Sequence, residues 1–150
     1  MVRASSSGKL PSAAICFGTE HIICQDFGGA SVTQEFLDRW RNPGDEASKQ
    51  WEERFGEYAY VPLAAEAFKR ALEGSNLKPD QLDHVIISGL HGRAAKAVVK
   101  SLGVDPSKVA DDLSTVIGNS GTAQAMVNLC DVLDRAEPGQ NIALVLLADG

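Results

Sequence analysis

The chain has 150 residues, 44% apolar and 23% charged, the composition of one soluble globular domain with a core of its own. Its net charge of −6 argues against general nucleic-acid binding, which needs a basic footprint, but leaves room for a local basic patch on an anionic ligand. No apolar run approaches the ~20 residues of a membrane span, and the opening MVRASSSGKLPSAA holds no signal-peptide core, so a cytoplasmic protein without a membrane partner is expected.

Residues 1–12, rich in Ser and Gly, read as a flexible tail, and residues 13–150 as the domain. AAICFG (13–18) and HIICQDF (21–27) are β-prone runs separated by Thr19-Glu20, which predicts an antiparallel hairpin ended by Gly28-Gly29. At about 31–56 the chain becomes polar, aromatic and helix-prone, and Pro43-Gly44 divides this helical insertion into two short helices. VPLAAEAFKRALEG (61–74) sets Leu63, Ala67, Ala71 and Ala64, Phe68, Leu72 at helical spacing, an amphipathic helix stopped by Gly74.

The second half is more regular. DHVIISG (83–89) is a strand of the buried type. GRAAKAVVKSLG (92–103) is a helix with Ala94, Ala95, Val98, Val99 and Leu102 on one face, closed by Gly103. DPSKVADDLSTVI (105–117) combines a short helical turn with a weak strand. SGTAQAMVNLCDVLDRA (120–136) is a long helix, and NIALVLLA (141–148) a second apolar strand. Strands apolar on both faces belong to a parallel sheet covered by helices on both sides. The fold class is therefore α/β, with a mixed, mainly parallel sheet, an N-terminal antiparallel hairpin and flanking helices. The last strand runs directly into LADG, so it is expected at an edge or under a partner.

Cys16, Cys24 and Cys130 are odd in number and lack metal-ligand spacing, which speaks against a disulfide framework or a zinc site. All three read as buried, inert thiols.

Two stretches share one layout. GLHGRAAKAVVKSLG (89–103) and GNSGTAQAMVNLC (118–130) each set a polar residue between glycines at the mouth of a helix. In open α/β sheets ligands bind outside the carboxyl ends of the strands, which puts His91 and Asn119 on one edge. Both can donate a hydrogen bond to a developing oxyanion. Gly89 and Gly92, and Gly118 and Gly121, let the backbone turn tightly and a ligand approach. The plainer alternatives are an N-cap for Asn119 and an ordinary polar loop residue for His91. GNSGTA matches neither phosphate-loop pattern. Arg93, Lys96 and Lys100 form a basic stripe on the helix after His91, either a solvated face or a docking surface for phosphates. His84 falls at the opposite end of its strand and His21 in the hairpin, both in structural roles.

With these residues in view, HVIISGLHGRAAKAVVKSLGV followed by GNSGTAQAMVNLCDVLDRAEPGQNIALVLLADG resembles the C-terminal half of the thiolase superfamily, in the branch of 3-ketoacyl-acyl-carrier-protein synthase III and 3-hydroxy-3-methylglutaryl-CoA synthase. The resemblance covers about 13–150 and implies a thiolase-like half-fold. It implies that His91 and Asn119 are the catalytic pair that activates a thioester carbonyl in a Claisen-type condensation. Gly89, Gly92, Gly118, Ser120, Arg93 and Lys96 would contact the substrate, an acyl-CoA or acyl-carrier-protein thioester, with no metal or other cofactor. The acyl-carrying Cys lies in the N-terminal half of that family, and none of the three cysteines here occupies its position. Segment 31–56 resembles an insertion in synthase-like proteins that work with an OB-fold partner.

Two functions follow. One is the carbonyl-activating half of a condensing enzyme, acting as a homodimer or with a Cys-bearing half. The other is a non-catalytic thiolase-like module that serves as a dimerisation or scaffolding surface.

Overall fold

A computed structural model describes residues 2–5, 12–37, 39–89 and 92–148. The packing is organised around strand β5 (His84–Gly89), whose residues 85–88 are all buried. On one side β5 pairs in parallel with β6 (Ile142–Leu147), in register from His84↔Ile142 to Gly89↔Leu147. On its other side Val109 forms a parallel bridge to Val85, and the Ala110 N–H donates to the Val85 carbonyl at 2.9 Å. The weak strand expected in 105–117 is reduced to this bridge, between a 3-10 turn at Pro106–Lys108 and the short helix α3 (Ser114–Ile117).

Side chains alternate across a strand. Val85 and Ile87, with Val145 and Leu147 of β6, join one core with α1 (Glu53–Ser75) and α2 (Gly92–Ser101). Those helices contribute Tyr60, Ala64, Phe68 and Leu72 at four-residue spacing, and Ala94 and Val98. Ile86 lies on the opposite face, where α4 (Gln124–Arg135) packs on β5 with Ala125, Val127 and Val132 buried. The α/β class expected from the apolar runs is thus present, with β5 covered on both faces.

Four local expectations are corrected. Gly74 does not stop the 61–74 helix: α1 runs through it to Asn76 at φ +55, where the Leu77 N–H returns to the Leu72 carbonyl at 2.9 Å. Asn tolerates this left-handed position, and the six-to-one bond satisfies a carbonyl at the helix end. The tail at 1–12 contains a strand, β1 (Val2–Ser5), which pairs antiparallel with β2 (Ser12–Ile15). The expected hairpin between 13–18 and 21–27 is therefore not formed. Thr19-Glu20 lacks the Asn-Gly chemistry of a tight hairpin turn, and among the described residues 16–37 form no helix or strand.

The helical insertion at about 31–56 is also corrected. Its described residues hold a small antiparallel pair, β3 (Arg39–Trp40) with β4 (Lys49–Gln50), and helix begins only at Glu53. Pro43-Gly44 builds a turn rather than separating two helices. Gly44 adopts φ +90 and the Asp45 N–H donates to the Asn42 carbonyl at 3.1 Å, the Pro-Gly geometry of a type II turn. Aromatic contacts seat the pair on the start of α1: Trp40 edge-on to Trp51 at 6.0 Å, and Trp51 stacked on Phe55 at 5.2 Å.

The β5–β6 pairing explains one glycine. A Cβ on Gly89 would lie 2.7 Å from the Leu147 Cβ and 3.0 Å from its carbonyl oxygen. We expect Gly89→Ala to force the two strands apart and cost about 1–3 kcal/mol. Urea denaturation of the two chains measures this, and an unchanged midpoint would show that the strands yield freely.

Candidate functional site

The connections place two loops on one edge. α2 leaves the carboxyl end of β5 and the chain then returns to Val109 beside Val85, near the start of β5. α4 ends at Arg135, shortly before β6 starts beside His84. The N-terminal ends of α2 and α4 therefore both lie towards the carboxyl edge of the sheet. His91 falls between Gly89 and Gly92 in the β5–α2 junction and lies outside the described residues. His84 lies at the amino end of β5, as expected, its Nε2 3.0 Å from Gln140 Oε1.

Asn119 is exposed in the turn between α3 and α4. Its Oδ1 accepts from the Gly121 N–H at 2.7 Å, the turn-type bond that the capping alternative requires. The bond engages only the carbonyl end of the amide. None of the hydrogen bonds among the described residues uses its NH2 group. Because the amide is planar, holding Oδ1 also fixes the direction of the NH2, so the cap and a donor role are compatible. Gly118 and Gly121 flank the turn at φ +73 and +61, where a side chain would be strained.

A network of side-chain hydrogen bonds, most of them to backbone groups, holds this turn. Gln124 Oε1 accepts from the Ser120 N–H at 2.9 Å, and Gln124 Nε2 donates to the Asp112 carbonyl at 2.5 Å and to Asn128 Oδ1 at 3.0 Å. Upstream, Asp111 and Asp112 carboxylates accept from the Leu113 and Ser114 N–H groups, each at 2.8 Å, and hold Leu113 at φ +59. Hydrogen bonds from the Ser114 side chain and backbone hold the Asp112 carboxyl below the usual carboxylate range, with Lys96 of α2 adding a smaller attraction.

The other expected contacts separate. Gly92 has open space around it, whereas the glycine at 89 is demanded by Leu147. Ser120 is buried, and among the described residues neither its Oγ nor Asn128 Nδ2 has a hydrogen-bond partner. Arg93 is drawn to α1 by an ion pair with Glu57 at 2.9 Å, which leaves Lys96 and Lys100 exposed along an open groove between α1 and α2. Gln124 escaped the sequence reading. The available signal was a polar pair, Gln124 and Asn128, four residues apart and in line with buried Val132 on an otherwise apolar helix stripe.

The cysteines need correction too. Cys16 and Cys24 are exposed, because the 13–27 region does not form the expected buried hairpin, and Cys130 on α4 is half-buried. Burial, helped by Asp134, pushes the Cys130 thiol up, so it stays protonated at neutral pH. We expect iodoacetamide at pH 7 to modify Cys16 and Cys24 roughly tenfold or more faster than Cys130, as peptide mass spectrometry would show. Among the described residues no group of three His, Cys, Asp or Glu side chains could hold a metal, and no helix is long and apolar enough to cross a membrane.

This architecture is that of the thiolase-like condensing enzymes. It superposes on 3-oxoacyl-(acyl carrier protein) synthase III of Pseudomonas aeruginosa with a TM-score of 0.62 and 17% identity, over 79% of this chain and 38% of that one. An OleA variant of Xanthomonas campestris gives 0.59 and 24%, over 79% of this chain and 36% of that one. Residues 72–150 match the family model described as 3-oxoacyl-(acyl-carrier-protein) synthase III C terminal, and the chain belongs to that family of condensing-enzyme C-terminal domains. Among curated proteins, it is 27% identical to hydroxymethylglutaryl-CoA synthase of Methanopyrus kandleri over 92% of this chain and 40% of that one. It is 31% identical to the enzyme of the same name from Pyrococcus furiosus, over 82% of this chain and 35% of that one. The chain thus spans about 40% or less of the length of these relatives.

Proposed function

We propose that this chain is the carbonyl-activating part of an acyl-thioester condensing enzyme of the hydroxymethylglutaryl-CoA synthase or ketoacyl synthase III kind. The observation that supports the reading is the Asn119 amide, whose Oδ1 accepts from the Gly121 N–H while no hydrogen bond among the described residues uses its NH2, in the turn ahead of α4; His91 of the β5–α2 junction would be its partner. Removing a proton alpha to a thioester puts charge on the carbonyl oxygen. Two donors fixed in advance on that oxygen stabilise the enolate, and losing one costs about 3 kcal/mol, on the order of a hundredfold in rate. The enolate carbon then attacks the carbonyl of a second acyl group held as a cysteine thioester. The carbon–carbon bond forms as the carbon–sulfur bond breaks, and the cysteine leaves as a thiolate, whose negative charge balances the proton removed in the first step. The cysteines described above do not fit that thiolate: Cys130 is kept protonated, and Cys16 and Cys24 lie in a segment without regular structure.

The thiolate would come from a Cys-bearing thiolase-like half, which is the partner this reading requires. Lys96 and Lys100 would meet the phosphates of an acyl-CoA or carrier-protein thioester at the groove beside α2. No further cofactor enters the scheme.

Asn119 allows the cap and the donor to be separated. Asn119→Asp keeps an oxygen for the Gly121 N–H and removes the NH2. We expect it to leave the melting temperature nearly unchanged while turnover of the enzyme complemented with a Cys-bearing half falls about a hundredfold. Asn119→Ala should lose the same turnover and also about 1 kcal/mol of stability. His91→Ala should lose turnover without stability. Full turnover in all three variants would leave the chain as a non-catalytic dimerisation or scaffolding module.

A further inference from the structure

The geometry points to Gln124 as the positioning residue of the Asn119 turn. The inference rests on the reading of Asn119 given above and extends it to a residue which that reading does not include. Gln124 stands at the first position of α4, and its side-chain amide joins three parts of the chain. Its Oε1 receives the Ser120 N–H, one residue after Asn119. Its Nε2 donates both to the Asp112 carbonyl, across the α3 segment, and to Asn128 Oδ1, one turn further along α4.

The orientation of that amide is determined by chemistry. Two of its neighbours, the Asp112 carbonyl and Asn128 Oδ1, can only accept, and the third, the Ser120 N–H, can only donate. Rotating the Gln124 amide by half a turn would set its oxygen against two oxygens and its NH2 against an N–H. Asn128 is 1% exposed, and among the described residues its Nδ2 has no partner, so the bond from Gln124 Nε2 to Oδ1 is what sets the direction of its amide.

The consequence falls on Asn119. With Gly118 and Gly121 on either side, both at positive φ, the turn has little stiffness of its own. The Ser120–Gln124 bond fixes the backbone between those glycines, and the Asn119–Gly121 bond then aims the Asn119 NH2. Gln124 thus acts through Asn119 and touches no substrate.

Amide hydrogen exchange, followed by NMR on the full 150-residue chain, tests this without any activity. Gln124→Met keeps the length and packing of the side chain and removes its three hydrogen bonds. We expect the Ser120 and Gly121 amides to exchange about tenfold or more faster, and the two Asn119 side-chain NH2 resonances to move towards the values of a free amide. The amides of Ile86 and Val145 should be unchanged. Unchanged exchange at Ser120 and Gly121 would overturn the proposal, as would a uniform loss of protection that includes Ile86. Should Gln124→Met not fold, Gln124→Ala carries the test, because it removes the same three hydrogen bonds and leaves no longer side chain at the turn. Faster exchange at Ser120 and Gly121 with Ile86 unchanged is then expected, and unchanged exchange at Ser120 overturns the assignment. In the enzyme complemented with a Cys-bearing half, Gln124→Met should lower kcat with little change in KM. If Asn119→Asp leaves turnover intact, the catalytic reading fails while the exchange data still decide what Gln124 positions.

Discussion

The double-sided burial of β5 is the constraint on which the rest of the structure depends. A strand apolar on both faces must be covered twice, and here α1 and α2 cover one face while α4 covers the other. Each helix reached from a parallel strand has to run back along the sheet before the next strand can pair in the same direction. The parallel register of β5 with β6 and the bridge at Val109 therefore dictate that the helices after β5 start at one edge. A hydrophobic requirement in the core thus sets the N-terminal ends of α2 and α4 towards one side of the sheet.

What happens at that edge is governed by backbone hydrogen bonding. The turn before α4 combines glycines at positive φ, a leucine in the left-handed region and a buried serine, none of which packs as regular structure. It is held because its N–H and carbonyl groups find side-chain partners: Asp111, Asp112 and Asn119 on the turn itself, and Gln124 at the start of α4. Exposed backbone could bond to water instead, so these side chains select one conformation out of several that would satisfy it equally. The two atoms orphaned among the described residues, Ser120 Oγ and Asn128 Nδ2, lie where that selection leaves no partner for them. Lys96 of α2 adds only a small attraction to Asp112, beside the hydrogen bonds from Ser114 that chiefly hold its carboxylate.

Family membership and geometry carry different parts of the functional argument. The match over residues 72–150 covers β5, α2, α4 and β6, the elements that define the edge. It leaves out β1 to β4 and most of α1, where the chain is anchored by its aromatic cluster and by the Tyr60-to-Leu72 stripe. Within the matched region Asn119 is held by its oxygen rather than by its nitrogen, the feature on which the proposed donor role rests.

The sequence by itself determined the elements whose burial is written in short-range periodicity. The apolar runs at 84–89 and 142–147, the Ala94–Val98–Leu102 stripe and the Ala64–Phe68–Leu72 stripe each state their own partnering face, and all are buried or strand-forming as read. Asn119 in the turn ahead of α4 was legible for the same reason, since a polar residue between glycines at a helix mouth is a local pattern, whereas His91 lies outside the described residues. Only the tertiary structure decided which segments pair and which side chains lock the turn. β2 pairs with β1 instead of with 21–27, and Pro43-Gly44 joins strands where it could as well have parted helices, because strand pairing depends on what lies opposite rather than on the segment itself. Gln124 reads as an ordinary helix former until Asp112 and Ser120 are brought against it across α3, a juxtaposition that no local pattern contains.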